Sequence, residues 1–212
     1  RRDFRFYIAG RFLGTLGMLI QSVAVGWQVY DITESPLALG YVGLAQFLPM
    51  VLMTLPAGDI ADRIDRRYIV AGAGLLEAAA AGWLILLTLT HSGDVTWFYA
   101  ALALFGTARA LMAPASRSFV PLLVSPLQLP RAIAVSSSTF QVAVITGPAI
   151  GGGLYLFGPV FVYSVCLALF LTVTLAFFAI RTRPPVQTEA LVTTAFQRVT
   201  AGISYMRRTP IV

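Results

Sequence analysis

The sequence has no lysine, one cysteine, one histidine and few charges of either sign, and each shortage closes off a class of function. Without lysine no Gly-x-x-x-x-Gly-Lys phosphate loop can be written, which excludes an ATP-driven pump. Cys166 alone makes no disulfide framework, and with His91 also alone there is no His/Cys metal cluster. An intramembrane serine protease needs a Gly-x-Ser-Gly nucleophile and a histidine within the membrane, and the sequence supplies neither. No cofactor is implied, and an enzyme is not expected. Charged residues make up 11% of the chain, against about 25% in a typical soluble domain. Hydrophobic residues make up 58%, and the mean hydropathy is +0.80. Lipid is the solvent such a chain expects. An excess of six positive charges would point to nucleic acid only if it formed a basic face on a soluble domain. The arginines instead lie at the ends of apolar runs, so no nucleic-acid partner is expected.

A helix needs roughly 20 mostly apolar residues to cross a bilayer. Six stretches qualify: residues 6–30, 37–60, 68–90, 95–115, 133–156 and 160–180. The first has no small-residue cleavage site and reads on as a span, so a signal peptide is not expected. The separators ITESP, DRIDRR, HSGD, SPLQLPR and FGP are turn-forming. With the N-terminus placed inside, the arginines sort cleanly. Arg1, Arg2, Arg5, Arg63, Arg66, Arg67, Arg117, Arg131, Arg181, Arg183, Arg198, Arg207 and Arg208 fall on the inner side. Asp31, Glu34, His91 and Asp94 fall on the outer side with no arginine. The bias predicts a multi-pass membrane protein with both termini cytoplasmic. Beyond the sixth span, Leu191, Val192, Phe196, Val199, Ile203 and Met206 recur at helical spacing, which predicts an amphipathic helix on the inner surface. Residues 1–181 are expected to form a six-helix domain, and 182–212 a cytoplasmic linker leading to a second half of a longer protein.

Six charges crowd into residues 59–67, after a glycine. Gly58, Asp62, Arg63, Arg66 and Arg67 fit Gly-x-x-x-Asp-Arg-x-x-Arg-Arg. This resembles the loop signature of the major facilitator superfamily. The stretch from RFLGTLG to DRIDRR looks most like its siderophore and drug exporters, typified by the enterobactin exporter. The resemblance implies an all-α membrane fold: six transmembrane helices, built as two three-helix inverted repeats, forming the N-terminal half of twelve. It also implies a gate. Gly58 would let a helix of the missing C-terminal half approach, and Asp62 would face that helix's N-terminus, where a carboxylate is favoured by about 0.3–1 kcal/mol. Asp59 would join the loop network, and the arginines would hold the loop against anionic lipid. A loop that only fixes orientation would need neither Gly58 nor Asp62 at that spacing. The superfamily usually has glycine where this chain has Asp65, which puts the tight turn in question.

Ala143, Gly147, Pro148, Gly151 and Gly152 form a small-residue stripe in span five. Proline removes one backbone bond and bends the helix. The stripe resembles the superfamily's export-associated glycine-proline motif and would suit a hinge; ordinary close packing is the alternative.

Charges inside a bilayer are expensive and usually functional. Arg11, about one turn inside span one, is expected to snorkel to the inner surface. Arg109 matches the embedded arginine of the superfamily's fourth helix, thought to influence proton release, although Met112 and Ala113 replace the Gln and Gly that usually follow. Glu77 falls near the middle of span three, at about 1.5 Å per residue, as a proton carrier, a neutral hydrogen-bonding group or a partner of Arg109. Third helices of this fold pack outside the bundle, which weighs against a cavity role for it. Gln21, Gln28, Gln46 and Gln141 are candidates for a substrate cavity with Trp27, Phe47 and Phe140 as walls, or for bonds between helices. The expected function is proton-coupled export of small hydrophobic or amphipathic molecules by alternating access. The alternative is a six-span protein that dimerises into a channel or pore.

Overall fold

The computed structural model describes residues 2–91, 93–117 and 120–179, leaving aside the side chains of 55, 61–63, 66, 115–117 and 122. The linker expected at 182–212 lies outside the described residues. Every regular element among those described is helical: α1 (Arg2–Thr33), α2 (Pro36–Arg63), α3 (Arg66–Leu89), α4 (Thr96–Arg117), the short α5 (Val120–Leu123), a 3-10 turn (Pro126–Gln128), α6 (Leu129–Tyr155) and α7 (Pro159–Phe178). Five helices, α1, α2, α3, α6 and α7, are long and apolar enough to cross a membrane by length and composition. The fourth expected span, α4, carries Arg109 and Pro114 and is not among them.

The ends follow local rules. Pro36 and Pro159 start α2 and α7, where a missing N–H and a fixed φ fit the first helical turn. Gly158, just before α7, has φ 93°, a left-handed conformation that costs glycine little. Asp65 caps α3 by accepting from the Arg67 backbone N–H at 3.0 Å. Its φ of −55° is open to any residue, so the turn does not need the superfamily's glycine. Asp94 accepts from the Thr96 backbone N–H at 2.9 Å, and the hydrogen bonds from Thr96 hold this exposed carboxyl below its usual range.

Around the bundle the helices run α2, α4, α3, α7, α1, α6, with thin contact between α1 and α2. Helix α3 is the most enclosed of the five apolar candidates: 56% of its apolar window is buried, against 11% for α2 and 17% for α6. Helix α3 lies between α4 and α7, on the far side of the unit from the α2 and α6 edges. Ala71, Ala73, Ala78, Ala80 and Ala81 are all buried, and this small-residue surface admits α4 and α7 on either side. Helices α2 and α6 form the edges and expose Leu37, Tyr41, Phe47, Leu52, Ile145 and Ile150, an apolar surface fit for lipid or another apolar partner.

Glycines set three of the seams. Along α1, a methyl on Gly10 would meet the Phe177 ring at 2.8 Å, one on Gly14 would meet Val173 at 3.6 Å, and one on Gly17 would meet Phe170 at 3.0 Å. Helix α7 thus runs antiparallel to α1 with its side chains seated in glycine notches. Helix α6 meets α1 the other way round, with Gly147 against Leu19 (2.7 Å) and Gly151 against the Ile20 backbone (3.1 Å). In α4, Gly106 lies directly on the Gln46 carbonyl of α2.

Candidate functional site

These close seams leave a cavity of about 250 Å³ inside the bundle. All six long helices line it, with Met18 from α1, Met50 from α2, Met112 from α4, Phe140 from α6 and Phe177 from α7 forming most of its apolar wall. Three ionisable side chains also reach it: Arg11 from α1, Glu77 from α3 and Arg109 from α4. Glu77 is 2% exposed, and its Oε2 is buried without a hydrogen-bond partner. No contact ion pair joins Glu77 to Arg109 among the described residues.

Arg11 makes its contacts within the bundle. It donates from Nη1 to the Tyr7 hydroxyl at 3.2 Å and stacks over the Phe140 ring at 5.5 Å, while its Nε is buried without a partner. Sequence spacing marked Arg11 as a charge within the span but could not show Phe140, on another helix, as its neighbour.

The four glutamines separate. Gln28 is buried in a polar set that joins three helices: its Nε2 donates to Thr88 Oγ1 at 3.0 Å, and its Oε1 accepts from Tyr163 at 2.7 Å. Gln21 is also buried, with neither amide atom partnered. Gln46 is half-buried beneath Gly106, and Gln141 is exposed on α6. None of the four lines the central cavity. Gln28 makes the helix-to-helix bonds foreseen as the alternative; Thr88 and Tyr163 carry no sequence signal beyond being polar in an apolar run.

The stripe of α6 likewise packs within this unit. Ala143, Gly147 and Gly151 face α1, whereas Pro148 is exposed and nothing lies within 4 Å of a methyl placed on Gly152. In the loop, space over Gly58 is open. Arg67 pairs with Asp65 at 3.7 Å and lies over Tyr68 at 5.6 Å, and Asp59 is half-buried at the end of α2. The side chains of Asp62, Arg63 and Arg66 lie outside the described residues. At the other end of the bundle, Tyr155 of α6 donates to Asp31 of α1 at 3.0 Å and stacks with Trp27 at 6.3 Å.

Residues 1–212 match a family model described as transmembrane secretion effector. Among curated proteins, the chain is similar to macrolide efflux protein A of Streptococcus pyogenes, 29% identical over 71% of this chain and 38% of that protein. It is also similar to the staphyloferrin A transporter of Staphylococcus aureus (27%, covering 70% and 38%) and to the uncharacterized MFS-type transporter YfiS of Bacillus subtilis (25%, covering 96% and 49%). The chain spans about half or less of the length of these relatives. Two solved structures share the fold at 18% identity: the human organic anion transporter MFSD10, with TM-score 0.67 over 88% of this chain and 49% of that one, and an auto-inhibited POT family peptide transporter, with TM-score 0.72 over 88% and 39%.

Proposed function

Because the chain belongs to the transmembrane secretion effector family of the major facilitator superfamily, we propose that the whole protein is a proton-coupled secondary exporter of small hydrophobic or amphipathic molecules. The carrying observation is the cavity of about 250 Å³, walled by methionine and phenylalanine and reached by three ionisable groups within the bundle. Buried charge beside flexible apolar side chains suits a site that takes varied apolar bodies and handles ions. The efflux and siderophore-transport names of similar proteins favour a substrate of drug or siderophore type.

In this reading residues 1–181 are one six-helix half, two three-helix repeats of inverted topology, and 182–212 lead to a second half. That half docks on the apolar edges formed by α2 and α6. The arginine-bearing ends face the cytoplasm, with both termini of this chain, and the membrane is the inner one. Rocking of the halves gives alternating access. Asp62, with Gly58, Asp59, Arg63, Arg66 and Arg67, latches the inner side shut. Inward proton flow drives the cycle through Glu77, holding a proton itself, or through Arg109, displacing one held by a nearby acid. The test is dye and siderophore transport by the full-length protein in everted vesicles. Uptake that requires a proton gradient is expected, and uptake indifferent to that gradient refutes the coupling. Equal flux from protein-free vesicles refutes the exporter.

A further inference from the structure

Resting on that exporter reading, we infer that the central cavity is built for a small amphipathic anion, an apolar body bearing one carboxylate, and disfavours cations. Among the described residues, Arg11, Glu77 and Arg109 are the ionisable ones that line it. Two guanidiniums against one carboxyl leave one positive charge in excess when Glu77 is ionised, and two when it is neutral. Among the described lining residues, no protonation state of Glu77 leaves a net negative charge. A buried charge is unfavourable unless it is paired and hydrogen-bonded, and neither arginine makes a contact ion pair with Glu77.

The geometry also leaves a donor spare. Arg11 is fixed by Tyr7 on one edge and by the Phe140 ring on its face, yet its Nε is buried with no hydrogen-bond partner. A ligand carboxylate matches the planar fork of a guanidinium and makes charge-assisted bonds to it. Met18, Met50, Met112 and Phe177 offer polarisable, adaptable surface to an apolar body. The volume of about 250 Å³ falls just below the usual range for drug-sized ligands and suits a body of one or two rings.

This assignment bears on Glu77. An ionised Glu77 and a ligand carboxylate compete for the same guanidiniums, so the anion and a proton on Glu77 are held together. Exchange needs a group that holds either the proton or the substrate but not both. For an anionic substrate Glu77 is therefore a charge-balancing residue, and the coupling proton resides on another group.

The test is calorimetric titration of the purified full-length protein with three probes that share one ring system: naphthoate, naphthylmethanol and naphthylmethylammonium. Naphthoate should bind at least about tenfold tighter than the other two, the scale of one charge-assisted hydrogen bond. Arg11→Gln and Arg109→Gln should each remove most of that preference, Arg11→Lys should keep part of it, and Glu77→Gln should tighten naphthoate binding. If the Gln variants at Arg11 or Arg109 do not fold, the wild-type comparison and Glu77→Gln still decide. Binding of the ammonium as tightly as naphthoate, binding of none of the three, or weaker naphthoate binding in Glu77→Gln overturns the inference. Vesicle export reads the parent reading separately: export without naphthoate preference sinks only the anion site, and naphthoate preference without export sinks only the exporter.

Discussion

Replacing Gly106 by alanine should force α2 and α4 apart. The new methyl would overlap the Gln46 carbonyl oxygen and approach the same residue's carbonyl carbon at 3.0 Å and Cα at 3.1 Å. All three are backbone atoms of a helix, so no rotamer change makes room. Overpacking of this kind destabilises by about 1–3 kcal/mol, while alanine's better helix propensity returns up to about 1 kcal/mol. A net loss of about 1–2 kcal/mol is expected. Gly72→Ala and Gly82→Ala in α3 are the matched controls: each adds the same methyl to a helix with no atom within 4 Å, and each should be neutral or slightly stabilising. Equilibrium unfolding of the purified full-length protein in mixed micelles measures the difference. Gly106 also lies three residues before Arg109, on the neighbouring helical turn, so the displacement should reach the cavity and slow export in vesicles. If Gly106→Ala unfolds within about 0.5 kcal/mol of both controls, the close α2–α4 seam is refuted.

Asp62→Asn should impair export by the full-length protein while leaving its yield near wild type, because it removes one charge of the proposed latch and little volume; wild-type transport rates would leave the loop with an orienting role only. Gly147→Leu places a branched side chain against Leu19 and should abolish transport, and cysteine accessibility and flux matching wild type would contradict the α1–α6 contact. Tyr163→Phe removes the hydroxyl that Gln28 accepts from and should lower stability by about 0.6 kcal/mol, up to about 1.7 if the amide finds no substitute; thermal unfolding indistinguishable from wild type would show that Thr88 alone satisfies Gln28.

The extent of the helices was legible because apolarity reports the solvent a segment meets. The spans expected at 37–60 and 68–90 form as Pro36–Arg63 and Arg66–Leu89, longer on the charged side because backbone hydrogen bonds continue past the last apolar residue. Partners were less legible. Lipid and a neighbouring helix are both apolar, so one sequence pattern serves either, and the enclosure of α3 and the exposure of α2 follow from small residues spread over several helices. For the same reason the glycine-proline stripe of α6 stood out while Gly10, Gly14 and Gly17 of α1 did not: their notches acquire meaning only when Phe170, Val173 and Phe177, more than 150 residues away in sequence, dock into them. Glu77 and Arg109 could be marked as costly charges, but the cavity they share with Arg11 had to be seen in three dimensions.

The α1–α7 seam has a mechanical consequence. Successive notches and the groups that fill them run in opposite chain directions at nearly matched intervals, like a rack meshed with its pinion. A slide of one residue, about 1.5 Å, would bring the Phe177 ring onto a part of α1 without a notch. The next position that meshes is about a full turn away, some 5.4 Å, with every tooth disengaged on the way. Such a seam tolerates a rigid swing and resists a graded slip, so any motion of this unit is made with α1 and α7 moving as one piece.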